Sequence, residues 1–470
     1  MITFIEIDGF KSFKKFSMTF TPFTVVAGTN ASGKSNLFDA LQLLSDLSHT
    51  DLKNAFLNQR GNAIELFTQY EKDCYAKEMS FRVDLLLNKE VKDDWGGSAT
   101  LKYTRLRYKI IIARKTNENG VDELFIKEEN LEPIRHQKDS WVKNYIPKEY
   151  LENWRPKVKT GKRGKPYIFT EPRNGIPTIK ILQDGRPGGG KETRASAVLR
   201  TVLSGIDDVS FPHVHAAKLE MQNWKFLQLN PDDLREPTKK QIGMSNIISQ
   251  TGKNLSSALF RLKQVDEYVL KEISRELNKL LPNLIEVDVI DDKANNQYII
   301  NVSSDDGKRY SSRVLSEGTL RLLTLCILLF DNNHKSLLCY EEPENGIHPF
   351  RISFLTNLLF DLTIDFSDSD AYLRQILINT HSPKLVGELA KWAEESKVSI
   401  WFSKMNMLFA ETEYGKKKVG ITKILPVVKE DFSQIQLSIL FPEQKFTDSE
   451  IKLNINQVKK YLDSTEMSQI

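Results

Sequence analysis

An α/β fold is predicted, with a mixed central sheet, an antiparallel β subdomain and an inserted basic and helical region. Three observations predict it. A short apolar run, Phe23–Ala27, leads into Gly28-Thr-Asn-Ala-Ser-Gly-Lys-Ser35, and an apolar helical pattern follows at Leu37, Ala40, Leu41 and Leu44. Two further apolar runs, Ser336–Tyr340 and Gln375–Asn379, read as strands that end in polar residues. Between these halves, Ser80–Leu87, Leu106–Ile112 and Glu123–Lys127 carry the β-branched and aromatic residues of an antiparallel sheet.

The elements follow in chain order. Ile2–Ile7, Phe16–Phe20 and Phe23–Ala27 alternate or run apolar, giving three strands before the glycine loop. The spacing G-x-x-x-x-G-K-[ST] belongs to a phosphate-binding loop. Its glycines turn backbone N–H groups onto phosphate oxygens, Lys34 reaches the terminal phosphates and the Ser35 hydroxyl holds Mg²⁺. The helix N-terminus behind the loop adds its dipole.

Gly9-Phe-Lys-Ser-Phe13, followed by Gly33-Lys-Ser-Asn-Leu-Phe-Asp-Ala40, resembles the N-terminal half of SMC, RecF and OLD-type ATPases of the ABC superfamily. The resemblance implies ATP and Mg²⁺ as ligands, with Gly28, Asn30, Gly33, Lys34, Ser35 and Asn36 around the nucleotide. It also implies a glutamine loop near Asn58–Gly61. Gln59 is its candidate, and a surface polar role is the other reading.

From Arg135 to Ala195 there are 15 Lys/Arg against 6 Asp/Glu, with Trp141, Tyr145, Tyr150, Trp154, Tyr167 and Phe169 interleaved. One reading is an arm that meets nucleic-acid phosphates through Lys157, Lys159, Lys162, Arg163 and Lys165. The other is a solvated insertion. His213 and His215, two apart, read as one side of a strand, with no Cys or carboxylate at metal-ligand spacing beside them. Apolar residues from Leu255 to Leu280 recur at helical spacing, giving one or two core-packing helices too short for a long coiled coil.

In the second half, Leu315-Ser-Glu-Gly-Thr-Leu320 resembles the ABC signature. The resemblance places Ser316 and Gly318 against the γ-phosphate held by a second copy; in isolation Ser316 reads first as a simple helix N-cap, and its position about twenty residues before the next motif favours the signature. Ser336–Glu342 is an apolar strand ending in two carboxylates. Glu341 is expected on Mg²⁺ and Glu342 on the attacking water, their side chains separated by strand alternation. His381, ending the next strand, matches the switch histidine that senses γ-phosphate. In the tail, a strand near Val398–Trp401, a hairpin tip at Lys416–Lys418 and helices near 433–441 and 449–462 are expected. No Glu followed by Asp-x-Asp occurs after His381, so no nuclease of the OLD kind is expected.

The predicted segments are an N-terminal half-head (1–130), a basic insertion (131–240), a helical lid (241–300), a C-terminal half-head (301–410) and a tail (411–470). Three scattered cysteines, Cys74, Cys326 and Cys339, suit a reducing cytosol, and the N-terminus lacks a signal-peptide pattern. The longest apolar run, near Leu320–Phe330, is about half a membrane span. The expected partners are a second copy, a separately encoded effector of the kind found in bacterial anti-phage modules, and DNA. A repair or recombination ATPase, or an ATP-held scaffold with little turnover, are the alternatives. The long gap from Ser35 to Ser316 argues against a transporter motor.

Overall fold

The computed structural model describes residues 1–463 apart from 117, 119, 121, 158–165, 184–189, 196–198, 242–246, 393–396, 413–414 and 429–432. The chain divides into two compact units. One comprises Met1–Trp224, Asp365–Leu373 and Glu395–Lys460; the other comprises Lys225–Ile364, Arg374–Glu394 and Tyr461–Ile470.

The first unit contains an eight-stranded antiparallel sheet. Its order from one edge is Lys191–Arg194, Ile176–Ile181, Ile168–Arg173, Asp122–Pro133, Arg105–Thr116, Glu78–Leu86, Ile2–Asp8 and Phe16–Thr19. The same unit contains a mixed sheet. Phe23–Ala27, buried at every position, runs parallel to Val398–Thr412, which turns back antiparallel into Gly415–Pro426. The expected mixed sheet and antiparallel subdomain are therefore both present.

The supposed basic insertion is largely part of this architecture. Residues 168–194 supply three strands of the large sheet. Trp141, Tyr145, Trp154 and Tyr167 are buried, and the Trp141 and Trp154 indoles donate to the carbonyls of Phe20 and Phe366 at 2.7 and 2.9 Å. Four of the six interleaved aromatics are thus core, which removes them as stacking platforms for bases.

A buried ion cluster anchors that region. Asp139 accepts from Arg105 Nε at 2.9 Å and Nη2 at 3.2 Å, and pairs with Arg155 Nη1 at 2.5 Å. All three side chains are at most 5% exposed. Burial pushes the Asp139 pKa up, but the two guanidiniums outweigh it and hold it below the usual carboxylate range. Burial pushes Arg155 down to about 10. Asp139→Ala leaves two buried cations without their anion, so it is expected to cost about 3–5 kcal/mol. A shift in the urea unfolding transition of the purified protein measures this; an unmoved midpoint would show the cluster to be dispensable.

In the second unit, three parallel strands, Lys225–Leu227, Leu337–Glu341 and Gln375–Thr380, form one sheet. The supposed helical lid is half sheet. Leu255–Val265 and Tyr268–Leu280 are two helices that bury Leu255, Leu259, Leu262, Ile273 and Leu277. The antiparallel strands Leu284–Asp292 and Gln297–Ser304 follow. Val265, expected in the apolar stripe, is 79% exposed because the first helix ends there. The boundary placed at 410/411 falls near the end of a continuous hairpin rather than between domains. Helices Gln434–Leu440 and Asp448–Asp463 match the expected tail.

Candidate functional site

The glycine loop leaves the buried strand Phe23–Ala27 and enters the helix Lys34–Leu47. Gly33 is its N-cap at φ 92°, and no side chain caps the helix. Asn36 N donates back to the Gly33 carbonyl at 3.1 Å, and no side chain occupies the space before the first turn, where the helix dipole favours an anion. A Cβ at Gly33 would lie 1.9 Å from Thr422 Oγ1, and one at Gly28 would lie 2.5 Å from the Ser403 carbonyl oxygen. Glycine is required at both by contact as well as by conformation.

Lys34 is 7% exposed and donates back to the carbonyls of Gly28 at 2.7 Å and Thr29 at 2.8 Å. Thr29, Asn30 and Ala31 form the exposed crown, and Ser35 and Asn36 are half-buried. The Ser32 hydroxyl is buried without a hydrogen-bond partner among the described residues. An uncapped helix start, an ammonium inside the loop and an orphaned hydroxyl together fit a bound polyphosphate.

Residues from both ends of the sequence clasp this loop. Asn36 Nδ2 donates to Ser12 Oγ at 2.6 Å, and Ser12 Oγ meets Thr422 Oγ1 at 2.6 Å. Thr422 N donates to the Ser12 carbonyl at 2.9 Å, and Ser403 Oγ donates to the Ser32 carbonyl at 2.8 Å. Asp39, on the helix, pairs with Lys11 and Arg60. Sequence reading missed Ser12, Ser403 and Thr422; only Ser12 lay inside a motif already singled out.

Gln59 is neither a surface residue nor beside the loop. It is 7% exposed and donates to Asp46 Oδ2 at 3.0 Å, near the far end of the loop helix. Asp46 lies about 18 Å along that helix from Lys34. The segment containing Gln59 folds onto the helix body, and the glutamine-loop assignment does not hold there.

In the second unit, the strand Leu337–Glu341 pairs in parallel with Gln375–Thr380, with Glu341 opposite Asn379. Glu341 is half-buried at the strand end. Glu342 has left the strand with φ 45°, a left-handed conformation that costs a non-glycine residue about 1–3 kcal/mol. Its N–H donates to Asn379 O and to Asn379 Oδ1, both at 3.1 Å. Its carboxylate accepts from Asn345 Nδ2 at 2.9 Å and meets His381 Nδ1 at 2.7 Å. The strand ends at Glu341, so strand alternation does not set the direction of Glu342. Asn345 and Asn379 are further residues that the sequence reading did not single out.

The helix Glu317–Phe330 begins at Ser316, whose hydroxyl accepts from Thr319 N at 3.2 Å. The N-cap reading of Ser316 holds within one chain, and its exposed position leaves its other face open. A Cβ at Gly318 would lie 2.5 Å from the Gly346 carbonyl oxygen, so the signature turn rests directly on the turn after Glu342. Glu344, in that turn, is buried and accepts from Thr380 Oγ1; burial pushes its carboxyl pKa up.

Other candidates fall away or lie outside view. His213 and His215 lie on the helix Pro212–Gln222, not on a strand. His213 accepts from Tyr103 N at 3.1 Å and stacks on Tyr167 at 4.3 Å, while His215 faces the Lys92 carbonyl. Lys157 is exposed and paired with Glu152. Lys159, Lys162, Arg163 and Lys165 lie outside the described residues. Among the described residues, no helix is long and apolar enough to cross a membrane.

Residues 1–162 match a family profile described as "AAA ATPase domain", and residues 209–387 match one described as "AAA domain, putative AbiEii toxin, Type IV TA system". The chain carries AAA-type ATPase domains. In this ATPase the first match covers the phosphate loop and the second covers Ser316, Glu341, Glu342 and His381. No curated protein matches it significantly in sequence. Among solved structures, the SMC head domain from Thermotoga maritima is 12% identical, with 91% of this chain and 99% of that chain covered at a TM-score of 0.37. An SMC head bound to the C-terminal winged-helix domain of ScpA is 14% identical, with 91% and 98% covered at 0.44. A Pyrococcus furiosus SMC head with an extended coiled coil, bound to the C-terminal domain of ScpA, is 12% identical, with 90% and 96% covered at 0.44.

Proposed function

We propose that this ATPase binds ATP on the Gly28–Asn36 loop and hydrolyses it with Glu342 as the carboxylate that polarises water. The observation that carries this reading is the Glu342–His381 pair. A strained backbone aims a half-exposed carboxylate, and a histidine just past the end of the neighbouring strand holds it at 2.7 Å. The first unit supplies charge and N–H donors for phosphates through Lys34 and the uncapped helix start. Ser35 and Glu341 are the two oxygens assigned to Mg²⁺, which when bound neutralises charge on the terminal phosphates. His381 orients Glu342 and reports the γ-phosphate.

The working form proposed is a cytoplasmic homodimer in which Ser316 and Gly318 of each copy face the nucleotide of the other. The ATPase then acts as the motor or sensor of an anti-phage module with a separate effector on DNA. The profile matched over 209–387, whose description includes a toxin of a toxin–antitoxin system, supports a defence setting.

Mixing tests the trans arrangement. A Lys34→Ala chain and a Ser316→Arg chain are each expected to be inactive alone. In the mixed dimer both lesions fall on one site and the other stays intact, so phosphate release should reappear at a fraction of the wild-type rate. Demonstrated subunit exchange without recovered activity would count against it, as would turnover by a monomer at a rate independent of protein concentration.

A further inference from the structure

The long hairpin does more than clasp the loop. Ser403, Met405, Met407 and Phe409 alternate along Val398–Thr412 and so share one face. Ser403 identifies that face, because its hydroxyl reaches the Ser32 carbonyl in the phosphate loop. Across the hairpin, Met405 registers with Thr422, Met407 with Gly420 and Phe409 with Lys418. Thr422 is itself against Ser12 and Gly33. The face that begins at the phosphate loop therefore runs outward as Met405, Met407 and Phe409, which are 43, 59 and 69% exposed.

Gly420 leaves this strip flat. A Cβ there would sit 3.4 Å from Met407 Sδ and 3.6 Å from Met405 Sδ, so the two thioethers converge over a position without a side chain. Lys416 Nζ lies 6.0 Å from the centre of the Phe409 ring. Steps of two residues along a strand advance about 7 Å, which puts Met405 one step beyond Ser403 and Met407 two.

We propose that Met405 and Met407 form a platform for the nucleobase of the nucleotide whose phosphates the Gly28–Asn36 loop holds. The proposal rests on the nucleotide reading above. Thioether sulfurs make favourable contacts with flat aromatic groups. These side chains offer no directed hydrogen bonds to a base edge, so the platform takes purines as a class without separating adenine from guanine. Continuity with the phosphate loop selects a nucleobase over a protein segment as occupant.

Calorimetric titration of the full chain with Mg-ATP, Mg-GTP and Mg-tripolyphosphate tests this. In a Met405→Ser/Met407→Ser double variant, affinity for both nucleotides is expected to fall about tenfold while tripolyphosphate binds as in the wild type. Gly420→Val, which fills the strip from the opposite strand, should give the same selective loss. Thermal unfolding of each variant identifies a folding defect, and the Gly420 variant tests the strip independently. Nucleotide affinities within twofold of wild type in both folded variants would overturn the platform and leave the strip to a macromolecular partner. Parallel losses for nucleotide and tripolyphosphate would overturn it too, making the strip a buttress of the loop. A wild-type chain that binds none of the three ligands would sink the nucleotide reading itself, and the platform with it.

Discussion

Lys34→Ala is expected to abolish ATP binding at concentrations that saturate the wild type. The ammonium is almost wholly buried and held inside the loop by the Gly28 and Thr29 carbonyls. A cation placed this way is desolvated in advance, so its attraction for phosphate is little screened. Removing one partner of a buried, hydrogen-bonded charge pair costs about 2–5 kcal/mol, or roughly thirtyfold to several thousandfold in affinity. Lys34→Arg should recover little, since a planar fork does not fit where a point charge sits between two carbonyls. Isothermal titration with Mg-ATP measures the effect. An affinity within threefold of wild type would remove Lys34 from the site.

Glu342→Gln is expected to bind ATP normally and to lose turnover by about 10²–10⁴-fold, the usual contribution of a positioned base. Glutamine preserves the side-chain length and the backbone contacts to Asn379, but it cannot accept a proton from water. Glu342→Gly gives a useful contrast. It removes the carboxylate and also relieves the φ 45° strain, so it should unfold at higher temperature than Glu342→Gln while remaining inactive. Steady-state phosphate release and thermal unfolding read the two effects separately. Wild-type turnover by Glu342→Gln would show that another group polarises water. Equal melting of the two variants would show that the backbone at this position stores no strain.

The phosphate loop and the acidic strand were legible because their chemistry is local. A fixed spacing of Gly, Lys and Ser, or two carboxylates after an apolar run, needs no knowledge of distant residues. What surrounds them was not legible. Ser403 and Thr422 carry no motif; they matter because a strand hundreds of residues later pairs beside Phe23–Ala27. The aromatics between Trp141 and Tyr167 looked like part of a basic arm because composition cannot say which face of a segment meets a sheet. His213 and His215 were misread for a different reason. The Pro at the first helical position, followed by Ala216-Ala-Lys-Leu-Glu220, is a helix signal that two-residue spacing obscured. Glu342 shows the limit of alternation, since the strand ends at Glu341 and the next residue is left-handed.

The hydrogen bond between Ser12 and Thr422 joins positions 410 apart in sequence. During synthesis, the glycine loop emerges early, but its clasp arrives only when the hairpin Val398–Pro426 has left the ribosome. Until then Phe23–Ala27 lacks the parallel strand beside it, and Gly33 lacks the threonine packed against it. Contacts this distant close slowly, because the intervening chain must first be brought to order. Nascent chains that stop short of residue 422 should therefore hold nucleotide weakly. Nucleotide capture would then report that the chain has been made through residue 422, and shorter products would remain idle rather than competing for ATP.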